Sequence, residues 1–185
     1  MRFNKHLNLQ GEHAFLSPSQ YHWVNYTSNR LAERWTTAQA SAYGIAQHLY
    51  AQAEIKAGRL SNHVGTLGMY INDAIQHKMT PEQVLFYSEN CFGTADAISF
   101  RYKTLRIFDL KTGVIAGSVH QLEIYAALFC LEYEIDPFKI NIELRIYQDN
   151  EVVIYDADPD DIVFIMEKIV DFDKQINQLR LEEES

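Results

Sequence analysis

Two charged side chains, Asp109 and Lys111, stand two residues apart among apolar neighbours in residues 106–113. On a strand this spacing puts both side chains on one face, where a carboxylate and an ammonium need polar partners. If the strand that carries Asp96 pairs with this one as a hairpin, its carboxylate can lie opposite Asp109. Two converging carboxylates form a hard-oxygen site that suits Mg²⁺ or Mn²⁺. A lysine beside them can orient an attacking water or stabilise charge on a phosphate.

A lone Asp-x-Lys pair has a plainer interpretation, because such a pair is more often a surface ion pair. The surrounding sequence favours chemistry: a Gly-x-x-Asp turn from Gly93 to Asp96 precedes the pair, and a helix with Gln121 and Tyr125 follows it. The four-residue spacing of Gln121 and Tyr125 puts both side chains on one helical face.

This order of motifs resembles the PD-(D/E)XK nuclease superfamily, and within it the RecB-like branch of phage and bacterial exonucleases. The resemblance makes Asp96 the first metal-binding acid, Asp109 the second, and Lys111 the catalytic lysine of the (D/E)-x-K motif. It also makes Gln121 and Tyr125 the Q-x-x-x-Y helix of the family, whose polar groups support the lysine or the scissile phosphate.

Upstream segments extend the resemblance over residues 13–155. The stretch from Gly44 to His48 matches the Gly-x-x-x-His element that supplies a further metal ligand in RecB-like members. Without the other motifs, a lone histidine on an Ala-rich helix is usually not a ligand. Residues 13–19 look like the start of phage-encoded members.

The chain also departs from the family pattern. It lacks the proline of the name-giving motif, and its two cysteines, Cys91 and Cys130, are too few for an iron–sulfur cluster. We interpret both as small buried thiols. Glu89, seven residues before Asp96, is either an additional site carboxylate or an exposed strand end.

The resemblance implies that His48, Asp96, Asp109 and the carbonyl of Leu110 hold one or two Mg²⁺ or Mn²⁺ ions. It further implies a DNA exonuclease that hydrolyses phosphodiester bonds of linear DNA in phage recombination or DNA processing. A structure-specific or restriction-type endonuclease of the same fold stays open, as do a catalytically silent DNA-binding subunit and an acidic interaction protein with a chance motif. Phage exonucleases of this kind often work beside a single-strand annealing protein, which we expect as a partner.

Four basic residues are candidate substrate-binding groups for the phosphates of DNA. Arg30 and Arg34 are one helical turn apart, and Arg101 and Lys103 would share one strand face. Solvated surface charge is the alternative interpretation for each of them taken singly.

Hydrophobic period and turn residues predict the elements that must position these groups. Helices are expected from Ser17-Pro18, over 38–57 up to Gly58, over 64–78, over 119–133 after a Ser118 cap, and from Asp158-Pro159 onward. Strands are expected over 84–87, 94–100, 105–110, 140–147 and 152–155, with Thr80-Pro81 separating them from the helical part.

This order predicts an α/β fold, in which a mixed central β-sheet is flanked by helices and preceded by a helical N-terminal part. The resemblance implies that this sheet and its helices form a restriction-endonuclease-like core. We interpret residues 1–185 as a single nuclease domain. Its parts are a helical N-terminal part over 1–80, a catalytic sheet core over 81–155, and a C-terminal helix with an acidic tail over 156–185.

The last helix carries apolar residues at alternating spacings of three and four. This seam predicts packing on the parent sheet, with an oligomer interface as the alternative. A homo-oligomer is expected because a ring of subunits would give a small nuclease processivity. The seam consists of Ile162, Ile165, Ile169, Phe172, Ile176 and Leu179.

The net charge of −9 argues at first against a nucleic-acid binder, which usually has a basic surface. However, residues 1–111 contain eleven Lys and Arg against eight Asp and Glu, whereas residues 112–185 contain five against seventeen. The acidity therefore belongs to the C-terminal part. The N-terminal part is expected to meet DNA, with weak and salt-sensitive binding.

Apolar residues make up 47% and charged residues 22% of the chain, an ordinary globular balance that excludes wholesale disorder. No apolar run of 18 residues is present, and the first residues lack the apolar stretch of a signal peptide. We therefore expect a cytoplasmic protein with no membrane partner, in the bacterial host cytoplasm if it is phage-encoded.

Overall fold

The computed structural model describes residues 14–113 and 117–183. The chain divides into two units, Met1–Tyr43 and Gly44–Ser185. The first unit contains a 3₁₀ helix over Pro18–Asn25 and the beginning of α1 (Ser28–Ala57). The second unit contains the rest of α1 and all other elements.

The segment after Ser17 differs from the predicted helix. Pro18 opens it as expected, but the segment is a 3₁₀ helix with a non-helical residue at Gln20. The hydroxyl of Ser17 caps nothing, because it lies 2.8 Å from the hydroxyl of Ser19. None of the eight residues is buried, so no packing favours a longer regular helix here.

Two helices in the N-terminal half were predicted from the sequence with different accuracy. α1 ends before Gly58, whose φ of +66° is the left-handed conformation expected of a glycine that terminates a helix. The helix starts at Ser28, ten residues earlier than predicted, since its first part is exposed and carries no apolar pattern. α2 (Thr66–Gln76) lies within the predicted range 64–78.

Five strands form one mixed sheet in the order β1-β2-β3-β4-β5. Only the β3–β4 pair is parallel among the described strands, and α3 (Val119–Glu132) connects these two, as a parallel pair requires. α4 (Pro159–Glu183) follows the last strand. The predicted mixed sheet flanked by helices is confirmed at this level. The strands are β1 (Thr80–Ser88), β2 (Cys91–Arg101), β3 (Thr104–Leu110), β4 (Asn141–Gln148) and β5 (Glu151–Asp156).

Thr80 and Pro81 were predicted to separate the helical part from the strands. Both residues instead lie inside β1. β1 is an outer strand of the sheet. An outer strand tolerates proline, because one of its sides has no ladder hydrogen bonds to make.

Two apolar clusters cover the two faces of the sheet within the second unit. One contains Leu105 and Ile107 of β3 together with residues of α3 and α4. The other contains Phe108 and Leu110 of β3 together with residues of α1 and α2. β3 is therefore buried on both faces, which fixes the backbone that carries Asp109.

α4 changes character along its length. Ile162 and Ile169 are buried in the core, whereas Phe172 is 54% and Leu179 57% exposed. The first half of the seam is thus buried, but it packs chiefly against α3 and not directly on the sheet as predicted.

The two cysteines differ in burial: Cys130 is buried as predicted, but Cys91 is only half-buried. Among the described residues, no helix has the length and apolar character needed to cross a membrane.

Candidate metal centre

An open cavity of about 430 Å³ lies in the second unit, beside the C-terminal end of β3. Side chains from α1, β2, β3 and α3 meet there. The lining residues are His48, Asp96, Asp109, Leu110, Lys111, Thr112, Gly113, Ser118 and Gln121. The cavity thus brings together most of the residues that the motifs singled out.

Asp96 reaches this cavity through the predicted hairpin, which is confirmed. β2 and β3 are antiparallel, and the pairing of Ala97 with Phe108 places Asp96 opposite Asp109 at the next position of the register. The backbone amide of Leu110 donates a hydrogen bond of 2.9 Å to Oδ2 of Asp96. This bond fixes the first carboxylate against the end of β3.

Asp109 and Lys111 form a close ion pair at the end of the buried strand. The Lys111 ammonium donates to Oδ1 of Asp109 at 3.1 Å and lies 3.0 Å from Oδ2. The second contact is not aligned as a hydrogen bond, so Oδ2 has no hydrogen-bond partner among the described residues. The Asp109 side chain is only 6% exposed, which makes this oxygen a buried and unpartnered acceptor.

α3 presents Gln121 and Tyr125 beside the lysine. The Lys111 ammonium donates to Oε1 of Gln121 at 3.1 Å, and Nε2 of Gln121 lies 3.4 Å from the Tyr125 hydroxyl. Gln121 therefore gives the Lys111 ammonium a second hydrogen-bond partner besides Asp109. Ser118 precedes this helix without the predicted side-chain cap, and instead lines the cavity.

α1 supplies His48, whose Nδ1 lies 3.6 Å from Oδ2 of Asp96. One turn earlier, a Cβ on Gly44 would come within 2.6 Å of the Thr112 hydroxyl oxygen. Only glycine lets α1 approach the end of β3 this closely without displacing Thr112. This contact is a physical reason for a glycine four residues before the histidine.

The environment of Asp96 disfavours its charged form. The pKa of Asp96 is raised to about 6, mainly by burial and to a smaller extent by the charges of Asp109 and Glu82. His48 and the Leu110 amide act in the opposite direction, since both stabilise the carboxylate. Burial therefore outweighs the two groups that stabilise the charged form of Asp96.

The donor set fits a divalent cation. Carboxylate oxygens and one imidazole are ligands that Mg²⁺ and Mn²⁺ accept, and Oδ2 of Asp109 has no hydrogen-bond partner among the described residues. His48, Asp96, Asp109 and the carbonyl of Leu110 are the groups that would hold it.

Sequence reasoning missed Glu82. Ligand atoms of Glu82, His48 and Asp96 all lie within 4.8 Å of one another. The one feature that could have identified Glu82 as a site residue is the pairing register of β1 with β2, which puts Glu82 opposite Asp96. Glu89, the acid that the sequence suggests as an additional site carboxylate or an exposed strand end, lies exposed in the turn between β1 and β2.

Within the second unit, the predicted phosphate contacts Arg101 and Lys103 do not line this cavity. Lys103 is not on a strand face with Arg101, because β2 ends at Arg101 and Lys103 lies in the two-residue turn before β3. That turn is six residues from Asp109, or about 20 Å along the strand. Arg30 and Arg34 are exposed on α1 in the first unit, where Arg30 pairs with Glu33 at 3.4 Å.

Residue 13 of the predicted opening motif lies outside the described residues. Comparisons of the chain with protein-family models, curated proteins and solved structures found no match. The chemistry of the centre is therefore interpreted from its own residues.

Proposed function

We propose that this chain is a Mg²⁺- or Mn²⁺-dependent deoxyribonuclease of the PD-(D/E)XK type, and that it hydrolyses phosphodiester bonds of linear DNA as an exonuclease. The observation that carries the proposal is the convergence of Asp96, Asp109 and Lys111 on one cavity, with His48 and Gln121 beside them. A purely structural ion pair needs neither a second acid nor a histidine.

The acidic side of the cavity would hold the metal. A bound divalent ion supplies Lewis-acid charge beside the scissile phosphate and activates water for attack. Asp96 is held by the Leu110 amide and Asp109 by the buried strand β3, so both carboxylates are positioned before any ion binds.

Lys111 is the group that would act on the substrate. An ammonium has three N–H donors, and the contacts to Asp109 and Gln121 leave one of them for a water or a phosphate oxygen. The lysine would orient the attacking water and stabilise negative charge as it develops on the phosphate. Its side chain is 27% exposed, which leaves it accessible from the cavity.

The acidic net charge is compatible with a DNA substrate under this proposal. Bound divalent cations would reverse the local field at the carboxylates. With few basic side chains at the cavity, binding should be weak and should depend on the metal.

Digestion of end-labelled linear duplex DNA, with and without Mg²⁺ or Mn²⁺, tests the proposal. We expect metal-dependent release of label, its loss in Lys111→Ala, and its retention in Lys139→Ala, a matched removal of an exposed lysine outside the cavity. Full activity of folded Lys111→Ala would overturn the assignment. A covalently closed circle should stay intact, and its cleavage would indicate an endonuclease of the same fold instead.

Self-association is part of the proposal. Phe172, Ile176 and Leu179 in the second half of α4 are exposed apolar residues, which supports a homo-oligomer of this nuclease. A single-strand annealing protein remains the proposed partner.

A further inference from the structure

Glu82 occupies an unusual place in the outer strand β1. Its neighbours Pro81 and Gln83 pair with Ala97 and Ala95 of β2, so Glu82 itself falls opposite Asp96. The backbone φ of Glu82 is +52°, in the left-handed region that a residue with a side chain rarely adopts. Backbone strain of this kind persists where the surroundings fix it, and it is concentrated at functional sites.

The strained residue adds a third donor beside His48 and Asp96. The ligand atoms of His48, Glu82 and Asp96 lie within 4.8 Å of one another. Opposite ligands of an octahedral Mg²⁺ or Mn²⁺ are separated by about 4 Å, twice the metal–oxygen distance. The three donors therefore stand close to the spacing that one ion would impose.

The charges of these groups are not balanced by the protein. Among the described residues, neither Glu82 nor Asp96 forms an ion pair with a lysine or an arginine. Lys111, the cation that lines the cavity, is engaged by Asp109 and Gln121. In the described part of the chain, the two carboxylates thus lie close together without a lysine or arginine partner, an arrangement that a bound cation would stabilise.

An independent observation places an unmet acceptor at the same location. Oδ2 of Asp109 is buried without a hydrogen-bond partner among the described residues, and its side chain lines the cavity together with His48 and Asp96. Beyond the ion-pair contact of 3.0 Å with Lys111, this buried oxygen could still accept a ligand.

We propose that Glu82 is a metal ligand, and that His48, Glu82 and Asp96 together hold a divalent cation beside Asp109. The inference deepens the proposed nuclease function and rests on it. The donor set of one imidazole and two carboxylates favours Mn²⁺ over Mg²⁺, because imidazole binds the softer ion better.

Calorimetric titration of the full chain with Mn²⁺ tests the ligand role. Glu82→Gln should weaken Mn²⁺ binding about tenfold or more, since even partners outside the first coordination shell change metal affinity about 10- to 100-fold. Glu89→Gln, a matched change in the turn of the same hairpin, should bind as the original chain does. Equal affinities of Glu82→Gln and the original chain would overturn the proposal.

Glu82→Gly separates a ligand role from a structural one. Glycine adopts a positive φ without strain, so the metal-free Tm should stay the same or rise, while the Mn²⁺-induced rise in Tm should shrink. A lowered metal-free Tm with an intact Mn²⁺ response would overturn the proposal, and this variant decides the matter if Glu82→Gln fails to fold.

The two proposals fail in different ways. An original chain that binds no Mn²⁺ overturns both. If Mn²⁺ binds and Glu82→Gln weakens it, but no DNA is digested, the ligand assignment holds and the nuclease proposal is overturned.

Discussion

Gly93 of β2 lies so close to Tyr125 of α3 that a Cβ on the glycine would come within 2.9 Å of Cε1 in the ring. Gly93 opens the Gly-x-x-Asp motif, and Tyr125 closes the Q-x-x-x-Y motif. The first motif thus needs a glycine because the second places an aromatic ring against its backbone. The two motifs are therefore parts of one packed unit.

Replacing Gly93 by alanine should move the Tyr125 ring, because the added methyl group has no room. Tyr125 adjoins Gln121, which holds Lys111, so we expect DNA digestion to slow about tenfold. Overpacking should cost about 1–3 kcal/mol of the free energy of unfolding. Digestion rates and denaturant unfolding measure the two effects. In a Tyr125→Ala background the same change should cost much less, and an equal cost would contradict the contact.

Divalent metal should stabilise the folded chain. At about 100 times the Kd, binding adds about 2.7 kcal/mol, or a rise in Tm on the order of 5–10 °C for a chain of this size. Asp109→Asn should lose most of this rise, because it removes the unpartnered carboxylate oxygen. Thermal unfolding with Mn²⁺ and with chelator provides the measurement. A Tm that Mn²⁺ leaves unchanged in the original chain would argue against a metal centre.

Gln121 should matter more than Tyr125 for activity. Gln121→Ala removes the 3.1 Å contact that holds the Lys111 ammonium, whereas Tyr125→Phe removes only a 3.4 Å contact to Gln121. We expect a ten- to hundredfold loss of kcat for the first change and a few-fold loss for the second. Single-turnover digestion of linear duplex compares them. The reverse order of effects would show that the tyrosine hydroxyl acts on the substrate directly.

The two halves of α4 should respond differently to substitution. Ile162 is fully buried, so Ile162→Ala should cost about 2–5 kcal/mol of stability. Leu179 is exposed, so Leu179→Glu should change the free energy of unfolding of the single chain by less than about 0.5 kcal/mol. The same change should dissociate an oligomer that uses this surface. Sedimentation and denaturant unfolding measure the two properties. An unchanged sedimentation coefficient for Leu179→Glu would exclude this surface as the interface.

Cys130 should be chemically inert in the folded chain. Burial raises the pKa of its thiol to about 12, with a further contribution from Asp136, so almost no thiolate forms at pH 8. Alkylation by iodoacetamide at pH 8 should leave Cys130 unmodified until the chain is unfolded, while the half-buried Cys91 should react slowly. Mass spectrometry of the digested protein locates the label. Fast modification of Cys130 in the folded chain would contradict the buried position.

The strands that carry the site were predictable because their apolar residues alternate or form a buried run. Ile107, Phe108 and Leu110 show that β3 is covered on both faces, and this fixes where Asp109 must stand. The hairpin between β2 and β3 then brings Asp96 opposite it. Local pattern and pairing together were sufficient for this part of the centre.

Other features depend on backbone conformations that the sequence does not announce. Tyr102 and Lys103 both adopt a positive φ in a two-residue turn, although neither is a residue typical of that turn, and so Lys103 leaves the strand face. Glu82 has a positive φ inside a strand, for which no residue pattern exists. Its proximity to Asp96 follows from the tertiary register and not from local propensity.

Pro81 has a consequence for how copies of this chain can associate. An outer strand with free N–H groups invites another chain to extend the sheet, which leads to aggregation. On β1, Pro81 has no N–H, and the amide of Phe86 donates to the Glu132 carboxylate at 2.9 Å. This edge is thereby protected against strand addition. Ordered assembly of this chain would have to use its helices or the opposite edge at β5.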